Sequence, residues 1–322
     1  MRPSDKPQDE KINLKYKKYQ DDQSAGVWGT RSQGGFKVKN LTLVVLVMFG
    51  LSIAGVAHAG APFNNLEGVG GVAFNPLAYP GGSKASDPEK AALDKSPLGE
   101  VTKYVGKPQF GAWYVNLSDV NVNWFATGVS DVILDRLEVS YGFENVNQKD
   151  AKTHNKHNIG AKLLVLPENY NDWNFVPAIS VGTIYKYTDN VATGASHDGW
   201  DGYVVATKLI TQLPRPVLIS GGALVTNSYA TGVFGYDKKD SKVTGFANVD
   251  VVLTDHLIAG VEYKQGADFK SFKNADYWDA HIAYTATKNL TLIAAYVYAG
   301  DHKSSKEVGL GNGVVLSAQY VF

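Results

Sequence analysis

The last ten residues, Gly313-Val-Val-Leu-Ser-Ala-Gln-Tyr-Val-Phe322, constrain the fold more than any other stretch. Side chains on an extended strand alternate faces with a period of two. Val314, Leu316, Ala318, Tyr320 and Phe322 therefore share one greasy face, and Val315, Ser317, Gln319 and Val321 share a mixed one. Termini of soluble domains are usually polar and frayed. A strand that closes a membrane barrel is instead paired on both edges and carries aromatic residues to the lipid–water boundary.

The same alternation recurs upstream. Leu137, Val139, Tyr141 and Phe143 oppose Arg136, Glu138, Ser140 and Glu144. Ile159, Ala161 and Leu163 oppose Asn158, Gly160 and Lys162, and Tyr203, Val205, Thr207 and Leu209 oppose Val204, Ala206 and Lys208. Val249 and Val251 oppose Asn248 and Asp250, Val261 and Tyr263 oppose Glu262 and Lys264, and Trp278, Ala280 and Ile282 oppose Asp279 and His281. These are period-two stretches, not helical ones. Short turns such as Leu134-Asp135, Thr254–His256 and Thr287–Asn289 alternate with long polar loops at Asn145–Lys156, Thr188–Asp198, Tyr236–Ser241, Gln265–Ala275 and Gly300–Asn312. Outer-membrane barrels pair short periplasmic turns with longer outer loops. The pattern predicts an all-β fold: an antiparallel, up-and-down transmembrane β-barrel over 107–322 with about twelve strands, ten to fourteen being compatible.

The amino-terminal end reads as export machinery. Leu41 to Ala57 is one uncharged apolar run, preceded by Lys37 and Lys39 and followed by Ala57-His58-Ala59. Basic flank, apolar core and A-x-A site make a signal peptide over 37–59, with cleavage expected after Ala59. The polar leader 1–36 is expected to reflect a start codon placed too far upstream. Residues 60–106 break the strand pattern. They hold a Gly/Pro-rich stretch from Gly68 to Gly82, then a predicted short helix over 87–95 with Asp87 as N-cap and Pro88 at its first position. This non-barrel segment is expected either in the periplasm or in the lumen as a plug, and Phe74, Leu77 and Tyr79 favour the lumen.

Charge and composition narrow the function. Of 31 basic and 31 acidic residues, nine and five lie in 1–40 and none in 41–59, so the rest carries 22 and 26, a net of −4. That argues against a nucleic-acid partner. The chain has no Cys, which removes disulfides, thiolate metal sites and thiol nucleophiles.

Several stretches carry a resemblance: Gly70-Gly-Val-Ala-Phe-Asn-Pro-Leu-Ala-Tyr79, Lys107-Pro-Gln-Phe-Gly-Ala-Trp-Tyr-Val-Asn116, Asp135-Arg-Leu-Glu-Val-Ser-Tyr-Gly142, and Leu166-Pro-Glu-Asn169 with Val176-Pro-Ala-Ile-Ser180. The sequence resembles a proteobacterial family catalogued as a domain of unknown function and regarded as outer-membrane barrels. The closing strand likewise resembles the terminal strand of such barrels, which commonly finish on Phe. The family brings no functional residues to carry over.

A charge at mid-depth in lipid costs a few kcal/mol. Arg136, Glu138, Glu144, Lys162, Lys186, Lys208, Asp250, Glu262, Lys264, Asp279 and His281 are therefore expected to face the lumen. They either pair across it and brace it, or line a path for an unknown small solute. Asp279 and His281 share a face and could orient a nucleophile, but no G-x-S-x-G elbow accompanies them. His154 and His157 are expected in a solvated outer loop, not at a metal. The reading is non-enzymatic, with no catalytic residue, metal or cofactor. Trp124, Trp173, Tyr187, Tyr203, Trp278, Tyr284, Tyr298, Tyr320 and Phe322 are expected to form aromatic girdles against lipid. Phe322 is also expected to be read by the barrel-insertion machinery of a Gram-negative outer membrane.

Overall fold

A computed structural model describes residues 63–82, 104–270, 273–304 and 307–322. The leader, the signal peptide and the predicted helix over 87–95 lie outside them. Twelve antiparallel strands form the wall: β1 (Gln109–Leu117), β2 (Val122–Ile133), β3 (Leu137–Gln148), β4 (His154–Leu166), β5 (Ala178–Thr188) and β6 (Asp198–Ile210). They continue with β7 (Val217–Thr226), β8 (Lys242–Thr254), β9 (Leu257–Lys264), β10 (Tyr277–Thr285), β11 (Leu290–Tyr298) and β12 (Asn312–Val321).

Each strand pairs with its sequence neighbours, and β12 returns to β1, so the sheet closes. The closing seam runs in register from Gly313 opposite Leu117 to Val321 opposite Gln109. The Phe322 amide then donates to the Pro108 carbonyl at 3.1 Å. Closure leaves no unpaired edge, the condition for strands to cross a hydrocarbon layer.

The two faces of the wall are chemically opposite. Outward positions carry Val139, Tyr141, Ile159, Leu163, Val261, Ile282 and Leu316, all exposed on the isolated chain. Inward positions carry Glu138, Glu144, Lys162, Lys186, Glu262 and Asp279, all nearly inaccessible. A soluble barrel would be patterned the other way round. An apolar exterior over a charged interior is the arrangement of a transmembrane barrel.

The lumen is filled. Residues 63–82 lie inside it as an irregular segment with one small hairpin, Phe63–Asn64 against Gly70–Gly71. Leu66, Ala73 and Phe74 pack with Trp113, Trp124 and Val297, whereas Val69 and Ala78 pack with Ile184, Val205 and Leu224. Burying a large apolar side chain is worth about 1.5–3 kcal/mol, so this apolar backing contributes to seating the segment. Close approach is possible because the wall carries Gly142 here: a Cβ there would stand 2.3 Å from the Glu67 carbonyl oxygen.

The loop end is covered too. The loop after β7 runs from 227 to 241 and is longer than the Tyr236–Ser241 span predicted from sequence. Thr188 donates to the Gly232 carbonyl at 3.0 Å, and Tyr236 is 1% exposed.

Candidate functional site

The site is the contact between the plug and the inner wall. Asn64 ties the plug to the barrel seam. Its side-chain amide donates to the Gln109 carbonyl at 3.0 Å, and its side-chain oxygen accepts from Ser130 Oγ at 2.6 Å. Its backbone amide donates to Gln319 Oε1 at 3.0 Å, and its carbonyl accepts from Trp113 Nε1 at 2.7 Å. Strands β1, β2 and β12 are thereby linked through one residue.

One half of the lumen, on β3 to β6, is rich in lysine. Strand register places Glu138 opposite Lys162 and Glu144 opposite Lys156. The corresponding pairs measure 2.7 and 2.9 Å. Lys186 pairs with Asp201 at 2.5 Å. Glu67 of the plug enters this array. Its Oε1 accepts from Lys156 Nζ at 2.9 Å and also from Lys186 Nζ. Burial by itself would raise the Glu67 carboxyl, but the ammonium groups of Lys156, Lys186 and Lys264 outweigh it and hold it below the ordinary carboxylate range. Lys162 Nζ also donates to the Gly70 carbonyl at 2.8 Å. Glu138 accepts the Gly70 amide at 2.9 Å and the Gly81 amide at 2.5 Å.

The other half, on β8 to β10, is acidic. Glu262 accepts three successive plug amides, those of Ala73 (3.2 Å), Phe74 (2.7 Å) and Asn75 (2.9 Å). Asp279 stands opposite Glu262 in register. The His281 ring bridges two carboxylates, Nδ1 to Asp279 Oδ1 and Nε2 to Asp250 Oδ1, each at 2.7 Å. Gly260 makes room for that bridge: a Cβ there would lie 2.3 Å from Asp250 Oδ1 and 2.6 Å from His281 Nε2. With both ring nitrogens engaged, His281 has none left to take a proton from a hydroxyl nucleophile. The relay geometry considered for Asp279 and His281 is thus not formed.

Nine of the eleven residues expected in the lumen are there: Glu138, Glu144, Lys162, Lys186, Asp250, Glu262, Lys264, Asp279 and His281. Two are not. Arg136 is exposed in the turn between β2 and β3, because β3 begins only at Leu137. Lys208 lies on the outward face near the turn end of β6. It reaches Glu168 at 3.1 Å and Asn169 Oδ1 at 2.5 Å. The faces of β6 are inverted relative to the sequence reading: Tyr203, Val205 and Thr207 point inward beside Asp201. Trp124 is likewise buried in the lumen, so neither it nor Tyr203 belongs to a girdle.

The remaining aromatics lie towards the two ends of the wall. Trp278 packs on Tyr298 (centroids 5.7 Å) at the loop end, and Tyr320 on Phe322 (5.0 Å) at the turn end, where Tyr284 also lies. Trp173 and Tyr187 are exposed. His154 and His157 sit within β4, not in a loop. Being three apart in a strand, they point to opposite faces and cannot converge on one metal.

The key residues without a strong sequence signal are Glu67, Lys156 and Asp201. Lys156 could have been reached by extending the Asn158–Gly160–Lys162 alternation two residues back. Glu67 lies in an aperiodic segment and offers no pattern.

The family described as "Protein of unknown function (DUF3034)" matches residues 96–319. The chain belongs to that family. No curated protein sequence matches it significantly. Among solved structures it is similar to the KdgM porin (12% identity, 66% of this chain and 99% of that one, TM-score 0.45). It is also similar to the NanC porin (11% identity, 67% and 100%, TM-score 0.47). A third is an outer membrane channel from Pseudomonas putida F1 (12% identity, 67% and 96%, TM-score 0.44).

Proposed function

We propose that this family member is a small-solute channel of the Gram-negative outer membrane, held shut by its own segment 63–82. One observation carries the reading: the plug is held at its contacts with the charged wall by ion pairs and by carboxylate-to-amide bonds. A lumen meant to be sealed permanently gains little from buried ion pairs, since well-packed apolar residues of similar volume are often as stabilising or more so. A wall bearing Glu138, Glu144, Lys156, Lys162, Lys186 and Glu262 has the polarity that a water-filled passage needs once the segment withdraws. Export through the segment 37–59, cleavage after Ala59 and insertion guided by the Phe322 end belong to the same reading.

Planar-bilayer recording tests it. The full chain is expected to be silent or rarely open, and a chain lacking residues 64–103 is expected to conduct. Steady large conductance from the full chain would contradict closure by the plug. The inward fold of the 227–241 loop favours a second reading, a non-conducting barrel with a structural or binding role. Silence from the shortened but folded chain would select it.

A further inference from the structure

We propose, building on the closed-channel reading, that the Glu67 carboxylate occupies a lumenal site for the carboxylate of a small organic anion, so that plug and solute compete for the same lysines. Three ammonium groups act on Glu67: Lys156 and Lys186 in direct contact, and Lys264 nearby. Two wall carboxylates remain when Glu67 is set aside, Glu144 on Lys156 and Asp201 on Lys186. Withdrawal of the plug therefore leaves three positive charges against two negative ones, a net of +1 where Glu67 stood. Lys264 is buried and forms no salt bridge among the described residues. It lines a cavity of about 30 Å³ together with Lys186, Asp201, Thr226, Thr244 and Tyr277. Within that lining, Thr244 Oγ1 and Tyr277 OH have no hydrogen-bond partner among the described residues. Unspent hydroxyl donors beside an unpaired ammonium suit an added acceptor, and charge-assisted bonds are the strong ones. The vacated Glu67 side chain supplies the rest of the room, and its own chemistry names the ligand: a carboxylate on a short carbon chain. A cation or a neutral solute would not replace the lost negative charge.

Chemical rescue in the full chain tests this. Glu67→Ala removes the internal ligand and keeps the wall intact. Folded barrel is confirmed by heat-modifiable electrophoretic mobility, and acetate is titrated calorimetrically. The variant is expected to bind acetate with a Kd on the order of 1–10 mM, about 3–4 kcal/mol, whereas the wild type, its site filled, does not. Adding Lys186→Met should weaken that binding tenfold or more. A folded Glu67→Ala chain that ignores acetate overturns the proposal, as does binding unchanged by Lys186→Met. Should Glu67→Ala fail to fold, the wild type decides. Replacing chloride by acetate at constant ionic strength should lengthen its open time, and an unchanged open time overturns the proposal. Acetate binding to Glu67→Ala does not depend on conduction, so silent bilayers with intact binding would fault the channel reading alone.

Discussion

The two halves of the lumen hold the same plug by different chemistry. On β3 to β6, lysines grip a plug side chain, Glu67, and one carboxylate, Glu138, takes up the plug amides of Gly70 and Gly81. On β8 to β10, Glu262 grips main chain only, three amides in a row. Recognition of main-chain amides is indifferent to plug sequence, since every non-proline residue carries one. Recognition of Glu67 is not. The lysine half is therefore where a charged solute can imitate the plug, whereas the acidic half clasps main chain through Glu262 and adds one uncharged side chain, Asn75, whose Nδ2 donates to the Ala247 and Tyr263 carbonyls at 3.3 and 2.9 Å. The acidic half also carries internal tension: Glu262 and Asp279 face each other across β9 and β10, and like charges directly opposite are destabilising. His281 sits between Asp279 and Asp250 and offsets part of it.

Removing a cation from the lysine half is the harshest way to probe this difference. Lys186→Met leaves Glu67 and Asp201 short of a shared partner in a buried setting. Breaking a buried pair this way costs about 3–5 kcal/mol. If the barrel still folds, the open fraction should rise by about a hundredfold or more, read as open probability in planar bilayers. An open probability unchanged from wild type would show that Glu67 is not what seats the plug.

Glu262→Gln probes the other half and should act less. The charge-assisted acceptance of three amides weakens, which costs at most about 2 kcal/mol. Relief of the opposition to Asp279 returns part of that. Open probability should rise by no more than about tenfold. A larger response than that of Lys186→Met would reverse the ranking of the two halves.

How much of this was legible in sequence follows the same division. The wall was readable because period two is enforced wherever one face meets lipid and the other does not. Nine lumenal charges, the strand count and the Phe322 end all came from that rule. It failed at β6, where both faces are largely apolar: Tyr203, Val205 and Thr207 face inward with Asp201, and Val204 faces outward with Lys208, so each face carries a charge and the pattern leaves a tie. It failed at Arg136 and Lys208 because both stand at strand ends, where a charge escapes the hydrocarbon without turning inward. Phe74, Leu77 and Tyr79 favoured a lumenal place for the plug, but its individual contacts were unreadable, for a different reason. Its contacts are set by close backbone approach, as at Gly142 against Glu67, and such contacts leave no repeat in the chain.

Acidification separates the halves without mutation. The Glu67 carboxyl is held below its free value of 4.5 by the surrounding ammonium groups. A group whose seated value is depressed stabilises seating fully above its free value and loses that contribution as pH falls through the seated one. Open probability attributable to Glu67 should thus be flat from neutral pH to about 5 and rise only below 4.5. The loss approaches about 1 kcal/mol near pH 3.5. Glu67→Gln lacks the titrating group and should not show this component. A rise that survives in Glu67→Gln would assign the acid response to another group.

Salt should have the smallest effect, and for an informative reason. Raising ionic strength from about 0.1 to 1 M shortens the screening length from about 10 to 3 Å. The lumenal pairs are shielded from that change: the side chains of Lys156, Lys162 and Lys186 are at most 1% exposed. Ions cannot screen contacts they cannot reach, so open probability at matched pH should shift by less than about twofold. The exposed pairs at the loop end, Lys273–Glu307 and Lys238–Asp198, do lie within reach, and exposed pairs contribute little to begin with. A steep salt dependence in chloride would mean that ions enter the lysine half while the plug is seated. The site would then already be open to anions, and competition between Glu67 and a solute would begin from a partly hydrated lumen instead of a closed one.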